Sequence, residues 1–593
     1  MNTKKLSSLA FLCVVSSALF SLTLISFHAD VSLAALPLSL VFTAFFAFVS
    51  MRKLFKDGEL AFIFVLRELL QYLPYALLTA FVLRRAGERG TPFALDLISV
   101  LLWLAASLLA LIILHFMHPK RISRVSREWA AFCERRISER KKMRGSLVAA
   151  GLRELVSWID ALVQAVFMVL LLNIFIVQLY EIPSESMVPE FLIRDRVVVF
   201  KTLSGPKFPL SEVGLPCLKK YGRGDIVVFR NPHYDSDRKS ELRAFLSQLV
   251  YMCTLTKVNI NVDESGNQKA DPLVKRVCGV GGEQLMMQDG VLYARTMDSP
   301  DFMPVEDDSV WAAWNLNDVS PSLRDGIRDI PLTERDYEDM LLIEEERRGL
   351  DLERTLSECG EIAGKFSEEH ERFRRGRAGA SDSEPFFLSA SQMTIYFFIA
   401  NAGKITSSLL HKDNGAEWFA AFMTEWGGGI PDFGGDLYAE ANFRLNLMIK
   451  VLVGKILLRH AELYNGGLKD GALPDSDSRI SEYVAEGQRL YFYTAILDQR
   501  NMPVFPPCSE DGSARYIPRD CYFMMGDNRF NSLDMRHSYE RWNERLTSAD
   551  NYSMTYMSDM RPQFVSRDRM LGSTSFRFWP PSRLGVPGKN GGR

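Results

Sequence analysis

The chain has 593 residues, 47% hydrophobic and 24% charged, with 70 Lys and Arg against 72 Asp and Glu. That near-neutral average conceals a segregation: residues 1–155 hold 20 basic and 10 acidic side chains, and the long apolar runs lie mostly in this basic part. Such a distribution excludes a wholly soluble enzyme and a nucleic-acid binder with basic charge along its length, and 8 Cys are too sparse for a disulfide-built scaffold.

Four apolar runs come first, at residues 6–27, 31–49, 60–83 and 94–116, and a fifth covers 156–179. Each approaches or exceeds the ~20 residues that a helix needs to cross ~30 Å of hydrocarbon. Arg67 and Glu68 fall inside the third, as an adjacent pair of opposite charge near one end. Lys4 and Lys5 precede the first run as in a signal peptide, but its apolar core is long for one and four runs follow, so an uncleaved span is expected. Residues 120–144 carry ten Lys and Arg against three Glu, which assigns this segment to the cytoplasm. Arg52, Lys53 and Lys56 agree with that side. Arg84, Arg85 and Arg89 then fall outside, against the rule, in a short loop. A fifth span that starts inside puts everything after Tyr180 outside. Cys217, Cys253, Cys278, Cys359, Cys508 and Cys521 lie in that outer part, where an oxidising compartment permits disulfides without indicating which pairs form. No Cys-x-x-Cys or His-Glu-x-x-His occurs, and no metal site is expected.

Directly after the fifth run comes Glu181-Ile-Pro-Ser-Glu-Ser-Met-Val-Pro189, where two prolines predict a stiff extended segment. Runs rich in β-branched and aromatic residues follow at 196–201, 224–230, 273–278 and 291–295, then far downstream at 522–525 and 571–579, and they predict a sheet. At four of these places, in this order, stand Pro183-Ser-Glu-Ser-Met-Val-Pro189, Arg223-Gly-Asp-Ile-Val-Val-Phe229, Val274-Lys-Arg276 with Gly279 and Gly282, and Gly526-Asp-Asn-Arg529 with Asn531, Ser532 and Asp534. In these boxes, a minority of its length, the chain resembles the type I signal peptidases, or leader peptidases. The resemblance implies that Ser186 is a nucleophile and Lys275 its base, that Ser184 helps hold the oxyanion and that Ser532 orients the lysine. It also implies preprotein substrates with small residues near the cut, membrane lipid and the secretion machinery as partners, no nucleic acid, and no metal or organic cofactor. Asp527 and Arg529 read as a structural ion pair near the site, and Gly526 as a backbone conformation that a β-carbon forbids.

The residue types suit this chemistry on their own terms. A serine hydroxyl needs a base within hydrogen-bond reach. Lysine at its ordinary pKa of ~10.4 is protonated at neutral pH and cannot serve, but burial disfavours the ammonium and lowers that value. Lys275 lies among Leu273, Val274 and Val277, and strand alternation points its neighbour Arg276 to the opposite face. Ser184 and the Ser186 amide are placed to donate to a tetrahedral oxygen, and loss of one such donor typically costs roughly 2.7–4 kcal/mol of barrier. The chain departs from the family's pattern at Glu185 and Glu190, where small or hydroxylated residues are frequent, at Gly281 and Glu283, and at Phe530 in place of an acid. These departures concern substrate fit and loop geometry, not the reaction type.

The stretch 297–515 interrupts the strand-rich part and is too long for a structureless loop, so it reads as an inserted domain. Residues 334–375 read as charged, solvated helix. Residues 386–402 are apolar enough for a sixth span, but one crossing there would separate Ser532 from Ser186, so a buried helix or strand is expected. The Gly-rich stretch 427–435 lacks the Lys-Ser/Thr of a phosphate loop and reads as a turn. Residues 443–458, with Arg444, Lys450 and Lys455, read as a core-facing amphipathic helix rather than one lying on a membrane.

The expected fold class is a multi-span α-helical membrane region followed by a mainly β catalytic domain with a large helical insert. Its divisions are four candidate transmembrane helices in 1–119, a basic cytoplasmic segment in 120–154, a fifth helix in 155–180, and the β domain in 181–296 and 516–593. Two rival functions remain at this stage. A histidine-dependent serine hydrolase would use His537, close in sequence to Asp527 and Asp534, although no Gly-x-Ser-x-Gly elbow occurs. A non-catalytic membrane receptor or assembly scaffold would retain the fold without the activity.

Overall fold

The computed structural model describes residues 2–588 except 26–30, 88–90, 143–146, 235–237, 255–257, 259, 263–268, 377–382, 427–428 and 469–476. Arg89, Arg144, Gly427 and Gly428 therefore lie outside the described residues. Among the described residues five helices are long and apolar enough to cross a membrane. They are α1 (Thr3–Thr23), α2 (Ala35–Ala47, running on into a π-helical stretch, Phe48–Lys56), α3 (Phe62–Gly87), α4 (Phe93–Phe116) and α6 (Leu147–Phe175); the basic α5 (Arg127–Lys142) intervenes. Small polar residues join the helices where they cross, as where Ser99 donates to Thr23 (2.7 Å) between α4 and α1. The Trp103 indole of α4 donates to the Pro74 carbonyl inside α3 (2.8 Å).

The fifth helix is shorter than the apolar run predicts. It ends at Phe175, and β1 (Val177–Glu181) follows at once, paired antiparallel with β2 (Arg196–Phe200). The remaining elements of the β part are β3 (Ile226–Phe229), α7 (Arg238–Cys253), β4 (Leu273–Val280), β5 (Glu283–Gln288), β6 (Val291–Thr296), β7 (Met303–Pro304), β8 (Met502–Phe505), β9 (Cys521–Met525), β10 (His537–Arg545), β11 (Thr555–Met560), β12 (Val565–Ser566) and β13 (Met570–Trp579). One antiparallel sheet has the order β1-β2-β13-β3-β4-β9-β12, and a second has the order β7-β6-β5-β8. Val227, Phe229, Val277, Leu285 and Phe523 lie in the core that joins them. Strand β4 is central, with Lys275 opposite Val227 of β3 and Arg276 opposite Met525 of β9.

Between β7 and β8 the chain forms α8 (Glu306–Trp311), α9 (Pro321–Arg324), α10 (Glu334–Arg348), α11 (Leu352–Gly376), α12 (Ile395–His411), α13 (Gly415–Thr424), α14 (Leu437–Asn465), α15 (Ser478–Ala495) and α16 (Leu497–Arg500). The charged stretch 334–375 is two helices, each with a buried stripe, such as Met340 and Ile343 on α10 and Ile362 and Phe366 on α11. In the stretch 386–402 the helix begins only at Ile395, and Phe398 and Ala402 are buried. Segment 443–458 is not a one-sided amphipathic helix. It is the middle of α14, which α11, α12 and α15 surround, so most of its positions are buried, the polar Asn446 and Lys450 among them. Its buried Lys450 pairs with Asp550 from beyond the insert, and Asn446 donates to the same carboxylate (2.8 Å). Leu546, Met554 and Tyr556 of the β10–β11 region complete this helical core.

A hairpin of the β part enters the membrane-helix bundle. Residues 206–214 fold back on themselves, with Phe208 N–H donating to Val213 O (2.8 Å). The Phe208 ring packs against Phe81, Trp103 and Phe175, with centroids 6.3, 5.5 and 4.7 Å away. Arg85 donates to Leu210 O (2.9 Å) and pairs with Asp96 (3.3 Å), and Asp96 accepts from Ser211 (2.7 Å). This arrangement gives Arg85 its place: the cation is held by a carboxylate and a carbonyl where the helices meet the β part. Phe208→Ala should destabilise the detergent-solubilised protein by about 3–5 kcal/mol, the usual loss for a buried aromatic. Denaturant unfolding that matches the wild type would contradict the hairpin's role as a plug.

Candidate active site

Ile182 to Glu190 do not form the extended segment that the two prolines suggest. Glu181 pairs with Arg196 across the β1–β2 hairpin, so the residues between them must reverse direction. They do so in turns, with Val188 N–H donating to Glu185 O (3.1 Å) and Phe191 N–H to Met187 O (2.9 Å). Ser186 sits in this turn.

The turn faces β4. Lys275 Nζ lies 2.6 Å from Ser186 Oγ and Ser184 Oγ lies 3.4 Å from the same atom. Lys275 is only 3% exposed. Burial pushes its amine down to about 8; the negative charges of Asp534 and Asp527 oppose this, and the Arg536 guanidinium adds to it. Both acids are held by arginines. Asp527 accepts two hydrogen bonds from Arg276, at 2.8 and 2.6 Å, and Asp534 accepts from Arg536 Nε (2.9 Å) and from Gly526 N–H (2.9 Å). Burial alone raises the Asp534 carboxyl, but Arg536 overrides it and holds the group well below the usual carboxylate range. Lys275 and Arg276, neighbours on one strand, thus reach different partners, as alternation requires.

Three readings of the last box change. Asp527 and Arg529 do not pair with each other: Asp527 takes Arg276 from β4, and Arg529 takes Asp308 from α8 (2.6 Å). Gly526 has no positive φ; it is there for space, because a β-carbon would collide with Ser532 Oγ and Ser186 O. Ser532 is buried beside Gly526, but its hydroxyl has no hydrogen-bond partner among the described residues and so is not bonded to Lys275. His537 is buried and directs Nδ1 to Asp559 (2.8 Å), and the base within reach of Ser186 Oγ is Lys275.

Sequence reasoning passed over what Glu185 does. Its carboxylate, in a residue only 6% exposed, accepts from the backbone N–H groups of Arg328 (2.5 Å) and Asp329 (3.1 Å). Asn528 holds the same turn from the other side, its Nδ2 donating to Glu185 O (3.1 Å) and its N–H to Ser186 O (3.2 Å). Phe530 packs edge-on against Trp314 at 5.2 Å. Glu283 accepts from Val280 N–H (2.9 Å) and pairs with Arg223. Among the described residues no three His, Cys, Asp or Glu side chains converge in a metal-ligating group. Cys217, Cys278, Cys359, Cys508 and Cys521 are free thiols, and the Cys253 side chain lies outside the described residues.

Comparison with known proteins bears on the same region. The family described as "Signal peptidase, peptidase S26" matches residues 155–308 and 476–579. A signal peptidase I of Haemophilus influenzae is 25% identical over 274 residues, which cover 45% of this chain and 73% of that protein. A signal peptidase I of Buchnera aphidicola is 35% identical over 79 residues, 13% of this chain and 25% of the relative. A probable signal peptidase I-2 of Synechocystis is 30% identical over 114 residues, 19% and 38% respectively. No solved structure gives a significant match.

The Arg276–Asp527 pair is nearly inaccessible to water, with each side chain 2% exposed, and Arg276 also lies 5.0 Å from the Trp311 ring. Removing Asp527 leaves Arg276 buried with only the more distant Glu190 carboxylate, 3.7 Å away, as counter-charge. Asp527→Ala should therefore lower stability by about 3–5 kcal/mol, measured by denaturant unfolding, whereas a loss below about 1 kcal/mol, the size seen for exposed pairs, would contradict this placement.

Proposed function

We propose that the chain is a serine endopeptidase of the type I signal peptidase kind, like the relatives it matches, and that it removes signal peptides from exported preproteins with Ser186 as nucleophile and uncharged Lys275 as base. The observation that carries this reading is the 2.6 Å approach of Lys275 Nζ to Ser186 Oγ in a site where the lysine is buried. An uncharged amine there accepts the hydroxyl proton as Oγ attacks the scissile carbonyl. The resulting ammonium then returns that proton to the leaving amine, and the acyl group on Oγ is released by a water that gives its own proton to Lys275. Ser184, exposed and 3.4 Å from Ser186 Oγ, supplies a hydroxyl for the tetrahedral oxygen. The Ser532 hydroxyl, buried beside Gly526 and without a partner among the described residues, is the group we assign to steadying the lysine once it is charged.

Residues 273–275 pair with β3, while the pairing of β4 with β9 starts only at Arg276. That leaves an edge beside the reacting groups along which an extended peptide adds as a strand. Apolar helices and a serine close after the fifth of them set the reaction at a membrane surface. The excess of basic residues in α5 supports a cytoplasmic side for that helix and an outer side for the β part.

Cleavage of a preprotein by the wild type, Ser186→Ala and Lys275→Ala, compared in detergent, tests the assignment. Both variants should lose about 10³-fold or more in kcat, as removal of a nucleophile or base does, and His537→Ala should cleave. Only the uncharged amine accepts a proton, so wild-type activity should rise with pH through a midpoint near 8 and fall below it as the ammonium forms. Activity in Lys275→Ala, or loss confined to His537→Ala, would contradict the assignment.

A further inference from the structure

Glu185 stands one residue before Ser186, and its carboxylate is turned inward. A buried carboxylate has to be satisfied by charge or by hydrogen bonds. Among the described residues no Lys or Arg forms an ion pair with it, and its partners are two consecutive backbone N–H groups, those of Arg328 and Asp329 just after α9. Such donors suit a carboxylate well, because hydrogen bonds to an ionised acceptor are the strong ones.

The segment that supplies them is tied to the site along its length. Ala313 N–H donates to Asp527 O (2.7 Å), and Arg529 N–H donates to Ala313 O (3.1 Å). Val188 and Leu192 from the serine turn share a buried apolar cluster with Leu316, and Leu323 and Ile327 pack against it. Ser186 is thus held from two sides, by Asn528 of the last box and by the leading segment of the insert. The chain's departure at Glu185 is the side chain that reaches that segment.

We propose that Glu185 is a positioning residue, through which the insert holds the Ser186 turn at proton-transfer distance from Lys275. The role rests on the assignment of Ser186 and Lys275 made above. Glu185 does not meet the reacting atoms. Losing its two hydrogen bonds frees the turn and misplaces Oγ, while Lys275 stays in the same surroundings.

The test compares Glu185→Ala and Glu185→Gln in the full-length protein, with the wild type and Ser186→Ala alongside. Glu185→Ala should lower kcat by about tenfold or more and leave KM within about twofold, since a small misplacement of a reacting group acts on the chemical step. The pH midpoint near 8 should not move. Glu185→Gln, which keeps one acceptor oxygen, should lie between. Amide hydrogen exchange at Arg328 and Asp329 should speed up in Glu185→Ala while α14 keeps its protection. If Glu185→Ala does not fold, the Gln variant decides: reduced kcat in a folded chain supports the role, and wild-type kcat overturns it. Unchanged kcat in both folded variants, or a loss of kcat with unchanged exchange at the two amides, also overturns it. Those results leave Ser186-dependent cleavage intact and so are distinct from failure of the functional assignment, in which Ser186→Ala would cleave like the wild type.

Discussion

A lysine amine that sits 2.6 Å from a serine hydroxyl, with 3% of its residue exposed, organises everything around it. Burial lowers its affinity for a proton, while two acids nearby work the other way. The arrangement succeeds because neither acid is left to act freely: Asp527 is paired with Arg276 and Asp534 with Arg536, all of them buried. Each acid near the site is thus held in an ion pair, and desolvation remains the largest influence on Lys275. The same pairs are rigid supports. Asp534 fixes Gly526, and Gly526 lets Ser532 and the Ser186 backbone approach to distances that a β-carbon would prevent.

Two further bodies tie the β part in place. The hairpin 206–214 lodges Phe208 among aromatic rings of the helix bundle, and Arg85 and Asp96 lock it there. On another side, the insert reaches the site through Asp308, Trp311, Ala313 and the amides of Arg328 and Asp329. The helical core of the insert in turn includes residues that follow the last box, and its buried Lys450 finds its counter-charge in Asp550. The insert is therefore built into the catalytic part by contacts on both sides of the Gly526 box.

What was legible in the sequence is what residue type encodes directly. The runs at 196–201, 273–278 and 571–579 are β-branched and aromatic, and they lie almost entirely within β2, β4 and β13. Ser186 and Lys275 were recognisable from their boxes, and their proximity requires only that the two elements face each other. Other features depend on context. Val177 and Leu179 prolong an apolar run, so β1 looked like the end of a helix until its pairing with β2 is known. Prolines restrict local dihedrals but could not reveal that a hairpin forces residues 182–190 to reverse. The spacing of Asp527 and Arg529 suggested one ion pair, whereas partners from β4 and α8 compete successfully for both. Glu185 was visible as an unusual acid, but its donors are backbone amides, which carry no residue-type signature.

The central claim is that Lys275 is uncharged when it meets Ser186. The direct measurement is the titration of its side-chain amine by nitrogen-detected NMR in detergent, with the signal assigned by its absence from Lys275→Arg. The account predicts a midpoint near 8. A midpoint at the ordinary lysine value of ~10.4 would leave the amine protonated at working pH and would contradict the account.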